Sequence, residues 1–357
     1  MSTIFGALRL SDTDYAFKST QGQAIIYEAI REHLAMHNAA LDAMTSIFVE
    51  RTTEDYKLRY RLPGGGRLQK RGTQSPVAAV KPYGYWDVAF PLEDYAASVA
   101  MDDVTRAYTS VADLEATVNN VVVQDLNTVR WELLRALFGN TAKTFADENR
   151  GDLTIQPLAN GDSVVYPPVI GSDTEATDNH YLASGYTAAN ISDTNDPYVT
   201  VIAELEEHFG AVTGNSPIAV LINSAQTTKT RGLAGVVEVQ DRWIDPGDST
   251  AVPTGLPFIP GKVIGRHMEG AWISQWDYIP SGYMLAVHLG APKPLYQRVD
   301  PAETGLPRGL ALVAEDQAFP FNSATWRHRF GFGAANRLNG VVIQITDGSY
   351  SVPTAYA

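Results

Sequence analysis

The residues best equipped for chemistry in this 357-residue chain are a few histidines, a run of basic side chains and one glycine-rich stretch. His33 and His37 stand one turn apart in a segment of helical periodicity, a spacing that can chelate a metal. No third ligand lies near them, and the zinc-protease pattern, with glutamate directly after the first histidine, is absent. His328, between Arg327 and Arg329, has the makings of an anion site or a general base. Strand alternation instead puts the two arginines on one face and the histidine on the other. Gly331-Phe332-Gly333-Ala334-Ala335-Asn336 begins like a dinucleotide fingerprint but lacks the third small-residue position and a following helix pattern. The sequence has no Walker loop, no Gly-x-Ser-x-Gly elbow and no identifiable carboxylate pair for glycosidic work. Zero cysteines removes disulfides, thiolate metal sites and cysteine nucleophiles together. No catalytic, cofactor-binding or metal site is therefore assigned, and the chain is expected not to be an enzyme.

The basic residues are more informative. Between Arg51 and Lys81 there are eight (Arg51, Lys57, Arg59, Arg61, Arg67, Lys70, Arg71, Lys81) against two acidic ones, Glu54 and Asp55. That leaves +6 on the segment and −19 on the rest of a chain whose net charge is −13. Residues 47–63 alternate loosely between apolar and charged positions, Gly64-Gly65-Gly66 marks a tip, and residues 77–92 return, so the span 47–92 predicts a long two-stranded ribbon. A hairpin this long is not stable alone in water and must lie on something. A basic arm gains steering and register from an acidic neighbour, and another copy of this chain is acidic. The ten residues expected to make that contact are these eight cations with Tyr85 and Trp86. Trp272, Trp276 and Trp326 are expected to be packing anchors.

These elements need a frame. From Asp102 to Phe138 the sequence predicts one very long helix: Asp102 and Asp103 suit its start, and Leu114, Val118, Val122, Leu126, Val129, Leu133 and Leu137 keep one apolar stripe. Gly139 and Asn140 can adopt the left-handed conformation that ends helices. From Asp103 the 36 residues span roughly 54 Å at about 1.5 Å each, longer than a compact domain needs. Charges such as Asp113, Asp125 and Glu132 exclude a membrane span. An amphipathic helix is predicted at Gln23–Met44, preceded by an extended arm. Residues 141–195 are turn-rich, a second unit opens with a helix at Tyr198–Phe209, and Pro217–Asn223 reads as a buried strand. Hydrophobic content of 45% fits a folded protein, the acidic balance argues against a dedicated nucleic-acid binder, and the first residues lack a signal peptide's pattern. A soluble, cytosol-made α+β protein is expected.

The order of short arm, basic ribbon, long helix, α+β unit and closing strands resembles the major capsid proteins of tailed bacteriophages, which share the Hong Kong 97-type fold. The closing stretch, Trp326-Arg327-His328-Arg329-Phe330-Gly331-Phe332-Gly333 followed by Gly340-Val341-Val342-Ile343, carries the resemblance best, with Gly261–Val287 before it. The resemblance implies an N-terminal arm and helix at 1–46, an extended loop at 47–92, a peripheral domain at 93–196 with its spine helix at 102–138, an axial domain at 197–321, and closing peripheral strands and tail at 322–357. It implies hexamers and pentamers of one chain forming an icosahedral virion shell, assembled in host cytoplasm around double-stranded DNA without sequence-specific binding or a membrane. Portal, scaffolding and decoration proteins are the implied partners. With only about 45 residues before the loop, scaffolding is expected from a separate protein or from a segment already removed. Some family members crosslink a loop lysine to an asparagine, which would draw on Lys57, Lys70 or Lys81 and on Asn336 or Asn339. Three other readings stay open: an encapsulin-type nanocompartment shell, a hydrolase or sugar-binding enzyme with a hairpin lid, and direct DNA binding through Arg59, Arg61, Arg67, Lys70 and Arg71.

Overall fold

The computed structural model describes residues 20–62, 67, 68, 70, 84–100, 111–209, 218–238, 259–315 and 323–357. Within them the chain is a mixed α+β structure built on two sheets and two long helices. Helix α1 is Thr20–Thr45 and helix α2 is Val111–Phe138. The expected start of α2, with Asp102 and Asp103, lies outside the described residues. The 28 residues of α2 extend about 42 Å.

Helix α2 ends where the sequence places its end, but by a different device. Gly139 does not take positive φ. Its N–H closes the last turn on Arg135 O at 3.0 Å, and a Cβ there would stand 2.8 Å from the same carbonyl. Glycine is needed for close approach, not for a left-handed turn.

The first sheet has five strands: β1 (Val49–Thr52), β4 (Glu93–Ala100), β13 (Leu295–Arg298), β14 (Ala311–Glu315) and β15 (Ser323–Ala334). The twelve-residue β15 is its axis. It pairs antiparallel with β4 along Ser323–Phe330, with β14 along Ala324–Arg327, and with β13 along Gly331–Ala334. The second sheet runs in the order β7 (Tyr181–Ala183), β16 (Val341–Gln344), β12 (Tyr283–His288), β8 (Ile218–Ile222), β11 (Ala271–Gln275), β10 (Lys262–His267), β9 (Val236–Glu238). Two short pairs complete the strands: β2 (Lys57–Arg61) with β3 (Tyr85–Ala89), and β5 (Lys143–Asp147) with β6 (Gly151–Ile155). The strands do not sort at residues 197 and 322. β7 and β16 share a sheet with β8 to β12, while β13 and β14 join β15, so those positions do not separate the sheets.

Every residue of β8 is buried, as its unbroken apolar run requires. Ile218, Val220 and Ile222 face helix α3 (Pro197–Phe209) through Tyr198, Val201, Ile202 and Leu205. Ala219 and Leu221 face the opposite cluster, shared with Val129, Leu133, Leu134, Leu137 and Phe138 of α2. The other end of α2 packs Leu114, Val118 and Val121 on Ile30 and Leu34 of α1 and on Trp326. Helix α2 thus joins two separate cores, which explains its length.

Between those cores the expected stripe is interrupted. Val122 and Leu126 are only partly buried, and the buried residue is Asp125, 7% exposed. His37 Nε2 of α1 donates to one carboxylate oxygen at 2.8 Å and His328 Nδ1 of β15 to the other at 2.7 Å. The alternation read at 327–329 holds, with His328 inward and both arginines half-exposed. Of the i, i+4 histidine pair, it is His37 that turns to this carboxylate. Burial would push the Asp125 carboxyl up, yet the hydrogen bonds from His328 and His37 hold it below its ordinary value.

A carboxyl depressed in the folded state contributes stability that is full above its unfolded pKa of about 3.9 and is lost as pH falls through the folded value. Melting temperature is therefore expected to drop as pH is lowered below about 4. Asp125→Asn should cost about 3 kcal/mol at neutral pH and flatten that acid limb, as read by thermal unfolding across pH. An unchanged acid limb in the variant would remove Asp125 from this role.

Candidate assembly interface

The basic segment does not form one continuous ribbon. Its first strand, β1, pairs in parallel with β13 in the main sheet, and among the described residues β2 and β3 make the hairpin, in the register Lys57↔Ala89 to Arg61↔Tyr85. Arg51 therefore lies in the body, bonded to Asp42 and, through Nε at 3.0 Å, to Gln297.

Alternation gives the hairpin two unlike faces. Leu58, Tyr60, Trp86 and Val88 form the apolar face, which joins Phe90, Tyr296 and Ala335 in a small core of its own. Tyr60 stacks on Trp86 with ring centroids 5.2 Å apart, and Trp86 meets Tyr166 edge-on at 5.5 Å. The expectation that the ribbon must lie on something is met, but its root lies on its own chain rather than on a neighbour. Lys57, Arg59 and Arg61 form the outward face. Asp87 takes Arg59 at 2.7 Å and Lys57 at 2.8 Å, and the Arg59 hydrogen bond above all holds its carboxyl far below the ordinary range. Arg59 also covers the Tyr85 ring at 4.3 Å.

Further out, Arg67 pairs with Asp173 at 2.8 Å. Arg61 and Lys70 are exposed and have no ion pair among the described residues. Arg71 and Lys81 lie outside the described residues. Leu68 is 96% exposed and Tyr85 63%. The structure thus brings Lys57, Arg59, Arg61, Tyr85 and Trp86 together and separates Arg51 from them.

Two features of this region were missed by sequence reasoning. The first is the seat, residues 157–178, which carries Tyr166 and Asp173. Arg337, 2% exposed, fastens its start by donating to Pro157 O at 2.8 Å, Leu158 O at 3.2 Å, Asn160 Oδ1 at 3.0 Å and Asp162 Oδ2 at 2.9 Å. The second is the use of Gly331 and Gly333. A Cβ on Gly331 would stand 2.4 Å from Pro91 O, and one on Gly333 2.6 Å from Ala89 O. The stretch that begins like a phosphate-binding fingerprint lets the ribbon's return strand cross β15 at backbone distance. Of the asparagines considered for a crosslink, Asn339 is fully buried, donating to His288 O and Pro292 O and accepting from His288 N–H. Asn336 is the more accessible, its amide on Pro292 O at 3.2 Å.

A mixed α+β chain with a long helix through two cores and a half-seated ribbon is the class defined here. The same fold occurs in a solved structure of Mycobacterium phage Patience, with a TM-score of 0.70 and 21% identity over 97% of this chain and 95% of that one. Chains from the capsid of Myoviridae phage XM1 and from the bacteriophage PhiM1 mature capsid align more loosely, at TM-scores of 0.47 and 0.48, each with 9% identity and 84% of this chain covered, against 90% and 85% of theirs. No family model and no curated protein matches the chain.

Gly333→Ala is expected to force Ala89 away and destabilise the protein by about 1–3 kcal/mol in equilibrium unfolding. Stability equal to the parent would show that the crossing is not tight.

Proposed function

We propose that this chain is the major capsid protein of a tailed phage, building hexamers and pentamers of an icosahedral head around double-stranded DNA. The observation that carries the reading is a fold shared along nearly the whole chain with the Patience phage protein. In this reading α2 is the spine helix, β2 and β3 are the root of the extended loop, and β15 with β4 supplies the peripheral sheet. The chain's role is structural, with its own copies as the principal partner. Portal, scaffolding and decoration proteins would complete the particle, assembled in host cytoplasm.

The charge distribution supports the same reading. Arg61 and Lys70 are exposed and make no ion pair among the described residues, Leu68 between them is exposed, and the remainder of the chain is acidic. A heterologous contact from this arm to the next copy closes rings when the rotation allows it. An acidic wall would also hold DNA loosely, without sequence-specific contacts, which suits a container that must be filled. No helix among the described residues is long and apolar enough to cross a membrane.

Negative-stain microscopy and light scattering of the purified full chain are expected to show shells of megadalton mass or ring-shaped capsomers. A stable monomer or small oligomer under all conditions would defeat the proposal. The double variant Arg61→Glu, Lys70→Glu should lower particle yield at least tenfold, while thermal unfolding of the unassembled chain stays within about 0.5 kcal/mol of the parent. Undiminished yield would remove the ribbon from the contact.

A further inference from the structure

Residues 178–180 and the last turn of α3 converge on a group that nothing so far explains. His180 Nδ1 lies 2.8 Å from Gly340 O, and its Nε2 lies 2.8 Å from Asp178 Oδ2. The ring has no exposed surface, so no water reaches either nitrogen. A backbone carbonyl can only accept, so Nδ1 carries the proton. At Nε2 His180 meets a second acceptor-only partner, the Asp178 carboxylate, and either a proton or a metal ion on that nitrogen satisfies the contact. His208 Nε2 points at the same oxygen from 2.6 Å, with its side chain 5% exposed. The ligand atoms of Asp178, His180 and His208 all lie within 4.8 Å of one another, and those of Asp178, Glu204 and Glu207 meet the same limit.

We propose that Asp178, His180 and His208 bind a divalent transition-metal ion, zinc by preference, with Glu204 or Glu207 completing the set. Two imidazoles and a carboxylate match zinc's ligand preferences. A ring N–H donating to a backbone carbonyl is the contact that fixes orientation and tautomer in metal-binding histidines. Zinc at about 2.0–2.1 Å from each ligand requires ligand atoms about 3.3 Å apart. The present separations of 2.6 and 2.8 Å must therefore open by roughly half an ångström, a movement that side-chain torsions can supply. The ion would bind the end of the ribbon's seat to α3, since Asp178 closes residues 157–178 and Ile170 N–H already donates to Glu207 O at 2.7 Å. Arg337 fastens the other end of that seat, so the metal would complete its anchorage. This site does not depend on the assembly reading.

The test uses the full chain, stripped with a chelator and desalted. Titration with Co²⁺ is expected to produce visible d–d bands that saturate at one equivalent per chain, and Zn²⁺ should then displace them. Zn²⁺ at a hundredfold excess over its Kd should raise Tm by about 4 °C. His208→Gln should abolish both the bands and the shift. Failure of the parent protein to give Co²⁺ bands and a Zn²⁺ shift would overturn the proposal. Bands that persist unaltered in His208→Gln would overturn the assignment of these ligands. Because the Co²⁺ spectrum is read on the parent chain, an unstable variant does not block the test.

Discussion

A carboxylate removed from water, Asp125, is the constraint on which the arrangement of the long elements depends. A buried charge persists only when its hydrogen bonds are made, and here they come from segments 88 positions before it and 203 after it. Apolar burial holds α2 against α1 and β15 but is non-directional, so it tolerates sliding. Two short hydrogen bonds at one point do not. They fix the rotation of α2 at the place where one core hands over to the other. On either side the helix can then use ordinary leucine and valine packing without a further register device.

The chain's elements were legible to different degrees for physical reasons. Periodicity is local, so α2, the buried strand at 218–222 and the alternation through His328 could be read directly. Which sheet a strand joins is settled by partners far away in sequence. That is why β13 and β14 sit with β15 rather than with the strands between them and α3. Asp125 was legible only as a charge that excludes a membrane span, because a helical wheel shows position and not partner, and neither His37 nor His328 is near it in the chain. The ribbon was legible as alternation plus charge, but its division was not. Thr52 to Asp55, where β1 leaves the sheet before β2 begins, carries no glycine or proline.

Of the candidate interface, the cations were found and their accounting was not. A charge count treats eight basic residues alike, whereas geometry satisfies Arg51, Lys57, Arg59 and Arg67 within the chain. Internal ion pairs at half-exposed positions add little stability, but they hold side chains in place. Asp87 is the economical case, since one carboxylate aligns two cations along the same strand face. The cations without an internal ion pair among the described residues are a smaller set than the sequence total implies.

The ribbon's direction then follows from how its seat is built. Trp86 and Arg67 touch Tyr166 and Asp173, which belong to a stretch with few strands of its own. Such a stretch would be a poor platform unless its ends were fixed. Its start is held by the buried Arg337, and its end by His180, whose Nδ1 donates to Gly340 O. Arg337 and Gly340 lie three residues apart, just before β16, a fully paired interior strand of the seven-stranded sheet. The platform is therefore tied at both ends to one rigid strand, and a projecting arm planted on it inherits that strand's orientation. In the proposed assembly, a root held by the core gives every copy the same angle to present to the next.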